Sequence, residues 1–395
     1  MKIFDALHGF IHFNEIEAAL IDSEPFQRLR YIHQLGITYL VYPGGTHTRF
    51  EHSLGTMHLA GEIFDKIAPD TDRDYWKQIV RLAALCHDLG HLPFSHVGES
   101  RLLGKGGHEV WTLKIIESEI LRPVWDKVEA LFPDQPVIKH IEKVALGEKK
   151  FLEIRPEESF TEWESLYAQI VAGDFFGADR IDYLLRDAKS TGLSYGLFDY
   201  AQLIEMLVIL PDKHGQLSLG VEENGVESCE ALLLARHFML RRVYHYPSAK
   251  AYSFHLARFM EWFYRDPSHF SSVDSYLAMN EPELYCSLMG ARKDPSHPGH
   301  YDANSLLDRG MRFQAIHLSH EIDRQQLEQF QKSGAIPPSQ IHWELGKKSS
   351  LSPYLSLPIL SKNPSLSDKE KFSEIAIPPD KKNWLFLAPE YDFAL

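Results

Sequence analysis

Apolar residues recur every three or four positions from residue 26 to about residue 265, as Phe50, Leu54 and Met57 illustrate. This spacing is typical of helices that bury one face. Around residues 215–226 the pattern instead alternates between glycines, which predicts a small hairpin or a loop. The body of the chain is therefore predicted to be mainly α-helical.

The pattern changes again at Asp294, where proline and glycine residues interrupt the helical spacing. The elements predicted beyond this point are one helix and two short strands, near residues 321–332, 341–345 and 384–387. We expect a helical domain over residues 1–293 and a small α+β subdomain over residues 294–395. Within that subdomain, residues 346–381 are rich in Ser, Pro and Lys, so part of the stretch is expected to be mobile.

Composition and charge narrow the function classes. The chain has 395 residues, 44% of them hydrophobic, and a formal net charge of −14. That charge argues against nucleic acid or an anionic membrane as a general partner, because both require a positive field. The three cysteines lie too far apart for a disulfide framework or a zinc site. Asp5 and Glu15 interrupt any signal-peptide-like apolar run, so we expect a cytoplasmic protein.

Histidines are crowded at the start of the chain: ten of the 21 fall within the first 108 residues. Thr48 to Glu51 has the form of a capping box, which predicts a helix that begins at Thr48 and carries His52 on its second turn. The next helix, near residues 74–89, is expected to end at Gly90 and to present His87 and Asp88 in its last turn.

A third predicted helix carries Asp179, Tyr183 and Asp187 on one face, at positions i, i+4 and i+8. Taken singly, His52, the His87-Asp88 pair and Asp179 each fit an ordinary structural role. Together they form a mixed nitrogen and oxygen set that suits an octahedral first-row ion, Mn²⁺, Fe²⁺, Co²⁺ or Ni²⁺, alone or together with Mg²⁺. The predicted metal ligands are His52, His87, Asp88 and Asp179.

Four extended blocks in this order resemble the HD-domain phosphohydrolases, whose signature is His…His-Asp…Asp. The blocks are Ile21-Asp22 with residues 26–32, Arg49 to Gly55, His87 to His96, and Asp179 to Asp187. Over about residues 2–250 the chain is more narrowly similar to the deoxynucleoside triphosphate triphosphohydrolase branch. That resemblance implies a helical HD-domain core and homo-oligomers, dimers or tetramers. The implied reaction is hydrolysis of a nucleotide substrate at the α-phosphorus, giving a deoxynucleoside and tripolyphosphate.

The resemblance also implies roles for individual residues. His96 would protonate the departing sugar oxygen, His91 and His108 would contact phosphate or relay protons, and Glu99 would orient a histidine. The implied substrate contacts are Arg49, Arg180 and Arg236 to the triphosphate, Tyr183, Asp187, Gln34 and Leu35 to the sugar, and Tyr244 on the Arg236 face two turns away. If these arginines are to hold a triphosphate in an acidic chain, they must converge on one pocket.

Asp22, Gln27 and Arg30 match residues of a regulatory nucleotide site in the family, and they fit a capped helix with exposed polar positions equally well. Phe4 stands where family members carry an asparagine that contacts the regulatory nucleotide, which argues against nucleotide activation.

Two other functions compete with the triphosphohydrolase. One is an HD-type nucleotidase or phosphodiesterase on another phosphate ester, and the other is a nucleotide-sensing module with vestigial catalysis. The remaining early histidines, His8, His12, His33, His47 and His58, are expected to be structural or on the surface.

Overall fold

The computed structural model describes residues 1–173, 175–212, 214–318, 328–329, 336–344, 358–360 and 383–391. Within these ranges the chain is mainly α-helical, with small sheets, as the apolar spacing predicts. The first helices are α1 (Glu15–Ile21), α2 (Glu24–Arg28), α3 (Arg49–Ile67), α4 (Arg73–Cys86), α5 (Glu99–Leu102), α6 (Gly107–Ile116), α7 (Arg122–Leu131), α8 (Val137–Leu146) and α9 (Glu148–Ile154). The helices that follow are α10 (Glu162–Ala172), α11 (Ala178–Thr191), α12 (Tyr200–Glu205), α13 (Val226–Met239), α14 (Pro247–Phe263), α15 (Val273–Leu277), α16 (Glu281–Lys293) and α17 (His300–Leu307).

In the part of the chain that the structure describes, the strands form three small sheets. They are β1 (Lys2–Asp5), β2 (Gly9–His12), β3 (Leu207–Pro211), β4 (Leu217–Glu222), β5 (Gln314–His317), β6 (Ile341–Glu344), β7 (Ile359–Leu360) and β8 (Trp384–Leu387). β1 and β2 form an antiparallel hairpin, β3 and β4 form a second hairpin that β7 extends in parallel, and the third sheet has the antiparallel order β5-β8-β6. The alternation near residues 215–226 predicts a small hairpin or a loop, and the structure has a hairpin there. The alternation covers only its second strand, β4, and does not indicate β3.

Helix α3 lies at the centre of the helical body, between α4 and α11. Because neighbours cover it on most sides, buried residues occupy nearly its whole circumference rather than one stripe. The helix begins after Thr48, as predicted, but the Thr48 side chain makes no capping hydrogen bond. Thr48 instead forms an isolated β-bridge with His33, which ties the start of α3 to the preceding loop.

Helix α4 ends earlier than predicted, at Cys86, so that His87 is its C-cap and Asp88 lies in the following turn. The prediction that Gly90 ends this helix as a cap is wrong: Gly90 lacks a positive φ. A Cβ at this position would lie 2.1 Å from the His108 carbonyl oxygen and 2.4 Å from the Thr112 amide nitrogen. Glycine is required here because α6 packs directly against this backbone.

The third sheet packs on α14 through one face of β8. Trp384 and Phe386 point toward the helical body, where Phe386 stacks on Phe254 with ring centroids 4.4 Å apart. Leu385 and Leu387 point the other way, into a separate small core. This alternation follows from the two-residue period of a strand.

Helix α17 packs on α14 and α16 and so belongs to the helical body in space. The boundary predicted at residue 294 stays a prediction. The helix predicted at 321–332 lies outside the described residues except for 328–329, and the stretch 346–381 lies outside them except for 358–360.

Among the described residues, no helix has both the length and the apolar content needed to cross a membrane.

Candidate metal centre and active site

Three side chains from three separate regions converge on one point. His52 from α3, His87 at the end of α4 and Asp179 in the first turn of α11 bring one ligand atom each within 4.8 Å of the others. His52 Nε2 lies 3.2 Å from His87 Nε2 and 3.0 Å from Asp179 Oδ1, and His87 Nε2 lies 3.6 Å from that oxygen. Adjacent ligands on an octahedral ion with bonds of about 2.1 Å are about 3 Å apart. The donor set therefore fits a divalent metal.

The tautomers of both histidines also suit a metal. The Nδ1–H group of His52 donates to Asp182 Oδ2 at 2.8 Å, and that of His87 donates to the Ala84 carbonyl oxygen at 2.7 Å. In the neutral form of each ring the lone pair is therefore on Nε2, which faces the common point. Such hydrogen bonds behind a ligand normally fix its orientation.

Asp88 lies beside this group, with its Oδ2 atom 3.6 Å from His52 Nε2 and 3.4 Å from His87 Nε2. Arg49 Nη1 donates to the same oxygen at 2.5 Å, and His91 Nε2 lies 3.2 Å from Oδ1. Arg49 is thus largely buried as a partner of Asp88, and its role as a triphosphate contact stays a prediction.

The electrostatics favour a cation at this point. Burial lowers the pKa of His52, but the Asp179 and Asp182 carboxylates outweigh burial and raise it to about 10. Burial would raise the pKa of Asp179, and the two histidines instead hold it below its ordinary value. By contrast, burial, Arg49 and His108 keep the pKa of His91 well below its usual range, so its ring is neutral at pH 7.

A second cluster lies next to the first, on the loop after α4 and at the start of α6. Glu99 Oε2 accepts from His96 Nδ1 at 2.7 Å, and Glu99 Oε1 accepts from His108 Nδ1 at 2.8 Å. His91 stacks on His108, with ring centroids 3.6 Å apart. Because Glu99 occupies both Nδ1 atoms, the Nε2 atoms of His96 and His108 are the ones available for proton exchange.

A cavity of about 730 Å³ joins the two clusters. The predicted site residues that line it are Gln34, Leu35, Arg49, His87, Asp88, His91, His96, His108, Asp179, Arg180, Tyr183, Asp187 and Tyr244. The stripe predicted on α11 therefore faces one cavity along its whole length. His52 and Glu99 do not line the cavity, but they contact His87 and His96, which do.

Arg236 is not among the residues that line this cavity, contrary to the expectation that it converges with Arg49 and Arg180. The segment after α13 is a π-helix from Leu240 to Tyr244. Hydrogen bonds from i to i+5 change the rotation per residue, so the phase of a regular α-helix does not carry from Arg236 to Tyr244. Tyr244 reaches the cavity and donates to Asp187 Oδ2 at 2.6 Å.

The three residues matched to a regulatory site meet at the corner between α1 and α2, away from the cavity. Gln27 Nε2 donates to the Ile21 carbonyl oxygen, and Gln27 Oε1 accepts from Arg30 Nε at 2.8 Å. The Arg30 guanidinium lies 3.5 Å from the Phe50 ring centroid. Asp22 is the C-cap of α1.

Sequence reasoning missed a layer of carboxylates and histidines behind the metal point. Asp182 accepts from His52 and also from His8 Nε2 at 2.7 Å and Arg186 Nε at 2.9 Å. Arg186 continues to Asp5 Oδ2 at 2.8 Å. His8, expected to be structural or on the surface, is buried against Asp182, which in turn holds the candidate ligand His52. The i, i+4 pair of Asp182 with Arg186 could have pointed to this layer.

Other missed residues line the cavity itself. Lys150 on α9 lies in a charged run that resembles solvated surface, yet it lines the cavity and pairs with Glu109. Glu344 and Phe386 line the cavity from the third sheet. No local motif distinguishes them, because only tertiary packing brings that sheet to α14.

The comparisons with known proteins agree with this geometry. Residues 49–173 match the family model described as HD domain. This part of the chain is an HD domain. It contains His52, His87 and Asp88, and Asp179 follows six residues after the end of the match.

Relatives extend the similarity beyond the HD domain. The chain is 38% identical over 251 residues to an uncharacterised protein of Methanocaldococcus jannaschii, covering 63% of this chain and 47% of that one. It is 32% identical over 265 residues to the deoxynucleoside triphosphate triphosphohydrolase SAMHD1 of Homo sapiens, covering 62% and 42%. The chain thus spans about half the length of the curated relatives it matches.

A solved structure of a hypothetical protein from Aquifex aeolicus is similar over nearly the whole length. The identity is 28% and the TM-score 0.71, over 98% of this chain and 96% of that one. The structural similarity therefore includes the C-terminal part of this chain as well as residues 49–173.

Proposed function

We propose that this protein is a metal-dependent phosphohydrolase that cleaves deoxynucleoside triphosphates at the α-phosphorus to give a deoxynucleoside and tripolyphosphate. The observation that carries the proposal is the single cavity in which the candidate ligand group, the His96 and His108 cluster and the polar stripe of α11 meet. Relatives named as deoxynucleoside triphosphate triphosphohydrolases support the choice of substrate.

A divalent metal held by His52, His87, Asp88 and Asp179 would polarise the α-phosphate and activate a water molecule. The proton needed by the leaving group would come from His96, whose Nε2 faces the cavity. The water oxygen would form the new bond to the α-phosphorus and release a proton to solvent. The bond from phosphorus to the sugar 5′-oxygen would break, and that oxygen would take the His96 proton. Glu99 stabilises the charged imidazole through its bond to Nδ1.

The sugar would lie along α11, beyond the α-phosphate. Asp187 is held there by Tyr244 and by His47, whose Nε2 donates to Asp187 Oδ1 at 2.7 Å. Held in this way, the carboxylate would accept a hydrogen bond from the 3′-hydroxyl. Gln34 and Leu35 line the same cavity and would crowd the 2′ position.

Arg180, Lys150 and Lys250 line the cavity and are the cations offered to the phosphate chain. Arg49 lines it too, and also holds Asp88. Arg236, one of the three arginines expected, does not line the cavity, so a second candidate is an HD-type hydrolase of a shorter phosphate ester.

One product analysis separates these functions. The protein would be loaded with Mn²⁺, Fe²⁺, Co²⁺, Ni²⁺ or Mg²⁺ in turn and incubated with each deoxynucleotide and ribonucleotide, at the mono- and triphosphate level. We expect deoxynucleoside and tripolyphosphate, identified by mass. Release of orthophosphate or pyrophosphate alone would exclude attack at the α-phosphorus, and turnover of monophosphates only would favour the second candidate.

A homo-oligomer and a regulatory nucleotide site at Asp22, Gln27 and Arg30 stay predictions from the family. Phe4 is 69% exposed on β1, where the family asparagine would contact the nucleotide. Light scattering tests the oligomer. Turnover of each substrate with and without added dGTP tests the regulatory site, and unchanged rates would remove it.

A further inference from the structure

Glu281 lies outside the HD domain, at the first position of α16, yet its side chain is buried against the candidate active site. The Oε1 atom accepts from the backbone N–H groups of Phe94 and His33, both at 2.8 Å. The Oε2 atom accepts from His33 Nδ1 at 2.5 Å. One carboxylate on α16 thus accepts three hydrogen bonds from two loops beside the candidate active site.

The loop that Glu281 holds has an unfavourable backbone. Phe94 and Ser95 have φ values of 59° and 58°, in the left-handed region that non-glycine residues avoid. Two such residues in succession persist only where surrounding contacts fix them. They lie directly before His96, so their conformation determines where the His96 ring enters the cavity.

Ser95 connects this loop to the metal ligands. Its hydroxyl donates to the His33 carbonyl oxygen at 2.6 Å and accepts from Arg49 Nε at 2.8 Å. Arg49 in turn donates to Asp88 Oδ2. The left-handed conformation at Ser95 therefore places one end of a buried chain of hydrogen bonds that reaches a candidate ligand.

We infer that Glu281 is a positioning residue, which holds the strained loop so that His96 and Arg49 are placed for the reaction. The inference rests on the proposed function for its catalytic consequence. Glu281 acts through its acceptor oxygens. The backbone N–H groups of His33 and Phe94 donate to it and have no other hydrogen-bond partner among the described residues. It does not touch the cavity surface itself.

Three variants test the inference. Glu281→Ala removes all three acceptor contacts, whereas Glu281→Gln keeps one oxygen for the two N–H groups. Glu17→Ala is the matched control, because Glu17 is equally buried and accepts from the Asn14 N–H group and from Arg81, far from the cavity. Melting temperature, kcat, KM and Mn²⁺ affinity would be measured for each variant.

We expect Glu281→Ala to lower kcat by about 10- to 100-fold, because small misplacements of reacting groups cost this much. KM should change less than kcat, and Glu281→Gln should recover most of the rate. Glu17→Ala should lower the melting temperature without lowering kcat. Hydrogen exchange of the peptide covering residues 92–97 should accelerate in Glu281→Ala and stay unchanged in Glu17→Ala.

The exchange measurement does not require turnover, so the inference can be tested even if wild-type protein hydrolyses no deoxynucleotide. In that case the proposed function fails, and hydrogen exchange of residues 92–97 still tests whether Glu281 positions the loop. Unchanged exchange in residues 92–97 would overturn the inference. So would a kcat loss that follows melting temperature across all three variants, or a Glu281→Gln variant as inactive as Glu281→Ala.

Discussion

Asp182 orients the candidate ligand His52. Its carboxylate accepts hydrogen bonds from His52, His8 and Arg186, and the residue is fully buried. Its carboxylate balances Arg186 and fixes the proton of His52 on Nδ1. A residue of this kind affects the metal although it does not bind the metal itself.

Asp182→Asn removes one of these acceptors while keeping the volume of the side chain. We expect metal affinity to fall by about 10- to 100-fold, as is typical for changes behind a ligand. Titration with Mn²⁺ followed by electron paramagnetic resonance measures this. The matched control is Asp302→Asn, because Asp302 accepts from buried His255 and pairs with Arg258 in the same way, away from the metal point. Equal affinities for wild type and Asp182→Asn would contradict the assignment.

Glu99 gives a prediction about pH. Desolvation lowers the pKa of His96, and the bond to Glu99 opposes that shift. In Glu99→Gln the opposing charge is lost, so His96 should lose its proton at a lower pH. Because the reaction needs protonated His96, the alkaline fall of kcat should begin at lower pH, with the maximal rate reduced by about 10- to 100-fold. A pH–rate profile from pH 5 to 9 checks this, and an unmoved alkaline limb would exclude His96 as the acid.

At this scale the motifs gave the candidate ligands and the cavity-facing stripe, because those residues sit at fixed spacings on helices. The sequence does not show the layer behind them. His8 and Asp182 are 174 residues apart, and only the packing of the β1–β2 hairpin on α11 brings them into contact.

At the scale of whole elements, the regular periods hold in helix interiors and fail at helix ends. The stripe on α11 lies inside a regular helix, so its predicted face is correct. Arg236 and Tyr244 span the change from α-helix to π-helix, so the regular helical period does not relate their positions. Residue types alone do not signal such a change, because it depends on how the following segment packs.

A carboxyl pair between α8 and the end of α6 should make stability depend on pH. Burial and the neighbouring Glu117 raise the pKa of Glu142 to about 8. The folded state therefore holds a proton that the unfolded chain releases near pH 4.5. This contribution to stability is present in full at low pH and is lost as the pH rises toward and through 8.

Glu142→Gln should remove that dependence, because glutamine stays neutral. We expect the variant to exceed the wild type in stability at pH 9 by about 1–3 kcal/mol, since one pKa unit corresponds to about 1.4 kcal/mol. At pH 5 the two proteins should be alike. Urea unfolding at both pH values measures the difference, and an equal effect at pH 5 and pH 9 would indicate a packing change instead.

At the scale of the molecule, the third sheet contributes Glu344 and Phe386 to the wall of the cavity. Its β8 strand turns Phe386 toward α14 and Leu385 toward its own small core. The sequence predicts β6 and β8, the two strands of this sheet whose residues line the cavity. It does not predict that they form part of the cavity wall, because that depends on the packing of the sheet against Phe254.

Phe386→Ala and Leu385→Ala separate docking from folding. Each truncates a fully buried side chain and should destabilise by about 2–5 kcal/mol. Only Phe386→Ala opens the cavity wall, so it alone should raise KM, by about 3- to 10-fold with kcat little changed. Steady-state kinetics on both variants checks this. An equal rise in KM for both would mean that the wall responds to the stability of the sheet and not to contact with the substrate.

The β1–β2 hairpin has a practical consequence for preparing the protein. Asp5 shapes its turn by accepting from the backbone of Leu7 and His8, and it reaches Arg186 behind the candidate ligand His52. A variant that lacks residues 1–9 should lose metal during purification, because Asp5 and His8 then no longer hold Arg186 and Asp182 behind His52. Low metal content in such material would reflect cloning design rather than the native affinity.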